Sequence, residues 1–366
     1  MINKELNKEL TVIIPLKDRA PYTFRLMKYL DKINFPFKVL LADGGKDNGL
    51  MELLSKKSTF PNVNYEHIRY PYDRTYADYY RKMVDVLARV NTPFVALGDN
   101  DDFFCLEGLR KSIEFMKVHP EYSACRGKVI RFSLKTESAS KESEGLYGKM
   151  YKIEHLYDAA SITSKTASKR INEHFNHYVP TWYDVHRIDQ LKRCFIILSD
   201  LNLQDIFLAE LLVSIMTVLS GKVFRGPELY LLRQSGVQGS TASRENEKRG
   251  PIDRMLLNSW SADFKIFTEA LASILMSNER FGQDEAIKII KEGYSSYIKP
   301  HLIKSLTKHV YNKSEHSIVL KIMADTFKRI AGMIKRLGNK PEHGGGLRVV
   351  REYLRKYPGQ AFEYEK

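Results

Sequence analysis

The chain has 366 residues, 43% hydrophobic and 28% charged, with a formal net charge of +14. This composition excludes a disordered or fibrous chain and leaves room for one large domain with a smaller one beside it. The three cysteines, Cys105, Cys125 and Cys194, form neither a CxxC pair nor a disulfide framework, which points to a reducing compartment. The first ten residues carry two acids and no apolar signal segment, and no run of about 18 uncharged apolar residues occurs, so a cytoplasmic chain without a membrane span is expected.

Strand-like and helix-like segments alternate through the first third. Leu10 to Leu16 is a β-branched run, and Pro21 suits the first turn of a helix reaching about Ile33. Lys38 to Asp43 reads as the next strand, stopped by Gly44-Gly45, with a helix over Leu50 to Lys57. Asn62 to Ile68 predicts a third strand, Thr75 to Val90 a helix, and Phe94 to Gly98 a fourth strand. Strands apolar on both faces and separated by helices imply parallel crossovers, and ligands bind such sheets beyond the carboxyl ends of the strands. Asp18, Asp43 and the Asp99-Asn100-Asp101-Asp102 cluster all fall at those ends. Three carboxylates in four residues at the mouth of a buried strand call for a compensating cation, and hard oxygen ligands suit Mg2+ or Mn2+ holding nucleotide phosphates.

Beyond the cluster the pattern gives a helix over Leu106 to Val118 and a strand from Tyr122 to Leu134. The Ser-, Glu- and Lys-rich stretch Lys135 to Gly148 reads as a loop, a candidate lid. Helices follow near Ala167 to Phe175, over Arg187 to Ile197 and over Leu203 to Ser220. A strand pair around Val223 and Leu229 to Arg233 then leads to a Gly/Ser-rich loop, and from Pro251 the chain is helical in character. The expected domains are therefore 1–250 and 251–366.

These motifs, in this order over about residues 10–245, resemble the family 2 glycosyltransferases, inverting enzymes of the GT-A fold. The resemblance implies an α/β fold with a mostly parallel sheet flanked by helices, followed here by a helical extension. Val12-Ile13-Ile14-Pro15-Leu16-Lys17-Asp18-Arg19 looks like the family's opening strand and nucleotide-contacting turn, which carries over to Pro15, Lys17 and Asp18. Ala42-Asp43-Gly44-Gly45-Lys46-Asp47 looks like the turn whose acid, Asp43, meets the base of the donor nucleotide. Asp99-Asn100-Asp101-Asp102 aligns with the Asp-x-Asp motif, so Asp99 would face ribose or metal, Asp101 would bind Mn2+ or Mg2+ and the diphosphate, and Asp102 would support the turn. Gln204-Asp205 at the start of an apolar helix matches the pair that supplies the base, making Asp205 the candidate base, with Gln204 where the family usually has Glu. By the same reading Glu210 stands too far down that helix to compete. Trp182 and Tyr183 fall on the acceptor side, and Arg233 in Tyr230-Leu231-Leu232-Arg233 is placed to clamp the diphosphate. The family's Asn-x-Gly and Ala-Arg-Asn segments are absent from Tyr72 to Met83, leaving Arg74 or Arg81 to supply charge near the phosphates. The Gln-x-x-Arg-Trp signature of processive synthases is absent too, so single addition is expected.

The partners implied are a nucleotide-sugar donor, UDP by default, and a glycan or lipid-linked acceptor of cell-surface type. A sugar nucleotidyltransferase is a weaker reading, since Lys17-Asp18-Arg19-Ala20-Pro21 lacks the glycine-rich loop that class would show. A non-catalytic nucleotide-sugar-binding scaffold is the alternative from outside enzymes. Nucleic acid is not expected, because basic charge serves solubility equally well and no zinc-finger or RNA-binding signature is present. Residues 301–366 hold 14 Lys/Arg against 6 Asp/Glu. Within them Ile318 to Leu337 projects as an amphipathic helix suited to covering a core, to an anionic membrane surface giving peripheral attachment, or to a homodimer interface.

Overall fold

The computed structural model describes residues 5–135, 145–156, 159–237, 251–313 and 345–356. Ile318 to Leu337, the tip of the candidate lid and the Gly/Ser-rich loop before Pro251 lie outside the described residues.

The strands are β1 (Leu10–Leu16), β2 (Lys38–Asp43), β3 (Tyr65–Arg69), β4 (Phe94–Leu97), β5 (Phe103–Phe104), β6 (Tyr122–Lys135), β7 (Lys149–His155), β8 (Val185–Arg187) and β9 (Lys222–Gln234). The helices are α1 (Ala20–Lys32), α2 (Asn48–Ser55), α3 (Tyr76–Ala88), α4 (Leu106–Val118), α5 (Ala167–Asn176), α6 (Ile188–Leu201), α7 (Ile206–Ser220), α8 (Pro251–Met255), α9 (Asn258–Asn278), α10 (Gln283–Lys313) and α11 (Gly345–Lys356). Among the described residues one sheet runs in the order β3-β2-β1-β4-β8-β6-β9-β5, with β7 paired to β6.

Strands β3, β2, β1 and β4 are parallel, as their two-sided apolar runs require. Beyond β4 the sheet is mixed: β8 runs antiparallel to β4 and β6, while β6 and β9 are parallel. The predicted strand pair around Val223 and Leu229 is one strand. Its register against β6 shifts near Arg126 and Lys128, so the break in the apolar pattern is an irregularity within β9 rather than its end. Val185 to Arg187 is a short strand, so the helix expected over Arg187 to Ile197 begins at Ile188, and β5 and β7 are further strands that the hydrophobic pattern does not reveal.

Each face of the sheet is covered. Helices α1, α2 and α4 pack on one face, joined by Leu347, Val350, Tyr353 and Leu354 of α11. Helices α3, α5, α6 and α7 cover the other, and α9 and α10 add Phe267, Leu271, Leu275, Ala286 and Ile290 to the same cluster. Both α3 and α7 start where the sequence can cap them. Thr75 and Asp78 form a reciprocal capping box on α3, and Asp205 accepts from the backbone N–H groups of Phe207 and Leu208 on α7.

Candidate active site

The carboxyl ends of β1, β2 and β4 are drawn together by direct contacts. After β1 the chain turns through two consecutive left-handed residues, Asp18 at φ 59° and Arg19 at φ 61°. Non-glycine residues adopt that region only at a cost of about 1–2 kcal/mol each, so the surrounding contacts must hold the turn. Asp18 Oδ1 accepts from the Lys46 backbone N–H at 2.9 Å, tying this turn to the one after β2. Arg19 reaches the other way, with Nη2 3.0 Å from Asp101 Oδ2. The approach needs Gly45, because a Cβ there would lie 2.6 Å from the Asp18 backbone nitrogen.

Asp43, at the end of β2, is 1% exposed. Its carboxylate accepts from Gly45 N–H at 2.8 Å, His67 Nε2 at 3.0 Å and Arg69 Nη1 at 2.7 Å. Burial alone would raise its pKa; the hydrogen bonds of His67, Gly45 and Arg69 outweigh that and hold it below the ordinary aspartate value. Asp43 therefore orders the floor of the turn. Above it the Tyr72 ring carries Lys17 Nζ at 5.0 Å and Lys46 Nζ at 4.3 Å from its centroid, and Tyr72 Oη donates to Asp18 Oδ2 at 3.4 Å. Pro15 precedes this turn in β1, opposite Ala42.

The acid cluster after β4 is compensated by arginine. Arg233, from the end of β9, donates through Nε to Asp102 Oδ2 at 2.8 Å and through Nη2 to Asp99 Oδ2 at 3.1 Å. Tyr183 Oη donates to the same Asp99 oxygen at 2.6 Å, and its ring lies 4.1 Å from the Arg233 guanidinium carbon. Fully buried Arg25 of α1 holds the turn from behind, donating to the Asp101 carbonyl at 3.1 Å, to Gln234 Oε1 at 2.7 Å and to the Leu146 carbonyl at 2.6 Å. Burial pushes Asp102 up to about 8 against the pull of Arg233, with Asp101 and Asp99 adding to the rise. A third of the Asp99 side chain meets solvent, yet the enclosing protein still raises its pKa.

The expectation that a metal must neutralise this cluster meets a different arrangement, in which Arg19 and Arg233 do so. Among the described residues no group of three or more His, Cys, Asp or Glu side chains is set to hold a metal ion. Asp99 and Asp101 nonetheless each direct only Oδ2 at an arginine, which leaves both Oδ1 atoms without a hydrogen bond among the described residues. Two such oxygens fit a hard divalent cation that takes its remaining ligands from phosphate and water.

The other candidates separate. Arg81 pairs with Asp78 on the exposed side of α3, whereas the Arg74 side chain is exposed and has no partner among the described residues. Trp182 packs edge-on against Phe195 at 5.5 Å, while Tyr183 joins the acid cluster. Asp205 caps α7, its backbone N–H held by Asp263 Oδ2 at 2.8 Å and its Oδ1 3.8 Å from Arg254 Nη1.

No protein-family model matches the chain, and no curated protein matches it. Among solved structures the chain is similar to S. aureus TarS, at a TM-score of 0.50 and 14% identity, covering 79% of this chain and 43% of that one. It is also similar to TarS 1–349 in complex with UDP-GlcNAc, at a TM-score of 0.48 and 15% identity over 80% of this chain and 73% of that one. Mannosyltransferase PcManGT from Pyrobaculum calidifontis, in complex with GDP-Man and Mn2+, matches at 0.43 and 12% identity over 91% and 88%. The fold is that of the GT-A glycosyltransferases. At such identities the likeness concerns architecture, and the chain spans less than half the length of the first of these structures.

Several residues of this GT-A edge escape a linear reading. Arg25, Lys82, His67 and Arg69 act across strands and helices: Lys82, buried on α3, pairs with Asp73 and donates to the Leu16 carbonyl at 3.1 Å. The available signal is a charged side chain inside an apolar helical stripe, as at Arg25 among Leu26, Met27, Tyr29 and Leu30.

Proposed function

We propose that the chain is an inverting glycosyltransferase that moves a sugar from a nucleoside-diphosphate donor, UDP by default, to a hydroxyl of a glycan or lipid-linked acceptor. The observation that carries this reading is the convergence of three strand ends, with the β1 turn bonded to the β2 turn through Asp18 and to the β4 turn through Arg19. This is the edge at which open α/β sheets bind nucleotides. The nucleoside lies over the turn that Asp43 orders, flanked by Asp18 and Tyr72. Lys17, Lys46 and Arg74 face the diphosphate from the β1, β2 and β3 sides, and Arg233 closes it from β9. Asp99 and Asp101 are the residues that would hold Mn2+ or Mg2+. Such an ion, when bound, neutralises charge on the departing diphosphate.

The acceptor is activated from α7, which carries Asp205 at its head and Glu210 further in. One displacement with one base inverts the anomeric centre. Residues 1–250 form the transferase domain in this reading and 251–366 the C-terminal region, of which α9 and α10 share the apolar cluster of α7.

Thermal melting with UDP, GDP and their sugar conjugates, with and without Mn2+, tests the reading. A matching donor raises the melting temperature by mass action, and Asp101→Ala removes the metal-dependent part of the rise while its unliganded melt stays cooperative. Equal metal-dependent shifts in both proteins would overturn the assignment of Asp101.

A further inference from the structure

Helix α7 is apolar along its fifteen residues except at Glu210, its single ionisable side chain, flanked only by Ser214, Thr217 and Ser220 as other polar groups. An isolated carboxylate in such a helix is costly to bury unless partnered. The partner is Tyr178, whose hydroxyl donates to Glu210 Oε1 at 2.9 Å. Glu210 Oε2 accepts no hydrogen bond from the described residues. The Tyr178 ring rests edge-on against Tyr297 of α10 at 4.9 Å and against His174 of α5 at 5.2 Å, which fixes the phenol.

Glu210 also lies within electrostatic reach of the acid cluster. Burial raises its pKa most, the Tyr178 hydrogen bond and the charge of Arg233 hold it down in part, and Asp99 adds to the rise. Asp205 is differently occupied. Its Oδ1 accepts at 2.9 and 3.0 Å from the first turn of its own helix, and the Arg254 guanidinium stands beside it. A proton on either oxygen would discharge the carboxylate and so weaken both the cap and the pairing with Arg254.

We propose that Glu210, rather than Asp205, takes the proton of the attacking acceptor hydroxyl, and that Tyr178 is the residue that positions it. The proposal rests on the glycosyltransferase reading. As the acceptor oxygen bonds to the anomeric carbon, its proton passes to Glu210 Oε2. The bond from that carbon to the diphosphate oxygen breaks, and its electron pair leaves with the nucleoside diphosphate. A carboxylate with a raised pKa does this closer to neutral pH than an ordinary one.

The test uses the full chain with UDP-GlcNAc and GDP-mannose as donors and water as the acceptor, following release of nucleoside diphosphate. Glu210→Gln is expected to keep the donor-induced melting shift and to lose release by roughly two to four orders of magnitude, the usual worth of a positioned base. Azide is expected to restore release to Glu210→Ala. Tyr178→Phe removes a hydrogen bond that lowers the Glu210 pKa, so the acid limb of the pH–rate profile should move to higher pH; Ser214, His174, Tyr297, Arg233 and Asp99 are the other groups that face this carboxylate or its phenol and are left in place. A Glu210→Gln protein with wild-type release, azide rescue at Asp205→Ala instead of Glu210→Ala, or an unmoved acid limb in Tyr178→Phe would overturn the proposal while leaving the transferase reading intact. A wild-type protein that neither binds nor turns over either donor would remove that reading, and the proposal with it.

Discussion

Asp43 and His174 are buried ionisable groups with opposite accounts to settle on folding. Asp43 has three donors and a pKa below its ordinary 3.8, so its contribution to stability is fully present above that value and is lost as pH falls through its folded pKa. Asp43→Asn should cost about 2 kcal/mol at pH 7, the scale of charge-assisted hydrogen bonds, and the gap to wild type should close in strong acid. Chemical denaturation at a series of pH values reads this directly. His174 is 1% exposed, its Nε2 lacks a hydrogen-bond partner, and burial with the nearby Arg225 charge depresses its pKa to about 3. The unfolded chain binds a proton there that the folded chain refuses. Stability should therefore fall as pH drops from about 6.5 toward 3, by at most about 1.4 kcal/mol per pH unit from this residue, and His174→Phe should flatten that slope. The position of Asp43 is legible in sequence, since it ends an apolar run before two glycines. Its partners are not, because the pairing of Asp43 with Arg69 is a matter of register between β2 and β3.

At the scale of elements, α7 shows how one motif supports two meanings. Gln204-Asp205 before an apolar run marks a helix start as surely as it matches a catalytic pair, and the structure displays the cap. Asp205→Ala should lower stability by about 1 kcal/mol, the typical worth of an N-cap, measured as a shift in the urea midpoint at unchanged slope. Glu210 is legible as the lone charge in that helix, but its sequence distance from the motif argues against it; in the fold it stands within electrostatic reach of Arg233 and Asp99. The seating of α10 on α5 depends on Gly293, where a Cβ would lie 2.2 Å from the Phe175 ring. Gly293→Ala should destabilise by about 1–3 kcal/mol through overpacking, visible as a lowered melting temperature. Long periodic segments such as α1, α3 and α4 were readable because their burial is local in origin. The short strands β5 and β8 were not, since two or three residues carry no period and pair only because distant strands offer them an edge.

For the whole molecule, the α/β class and the convergence of acids followed from alternating segments, whereas the return of the chain did not. Helix α11 packs beneath α1, with Tyr353 donating to the Arg25 carbonyl at 2.8 Å and its ring 5.5 Å from that of Tyr29. The same α1 residue, Arg25, holds the Asp101 turn, so the last described helix supports the acid cluster from below. Tyr353→Ala should cost about 3–5 kcal/mol, as aromatic truncation in a core does, and should weaken donor binding along with stability. No helix among the described residues is long and apolar enough to cross a membrane. The central claim is sugar transfer from a nucleoside diphosphate at the ends of β1, β2 and β4. It is tested most directly by release of nucleoside diphosphate from UDP- and GDP-sugars in the presence of Mn2+, comparing wild type with Asp101→Ala. The account predicts release by the wild type from one donor class and at least a hundredfold less by the variant, on the scale of lost electrostatic stabilisation of a leaving group. Equal release by the two proteins, or none by the wild type from any donor, would contradict it.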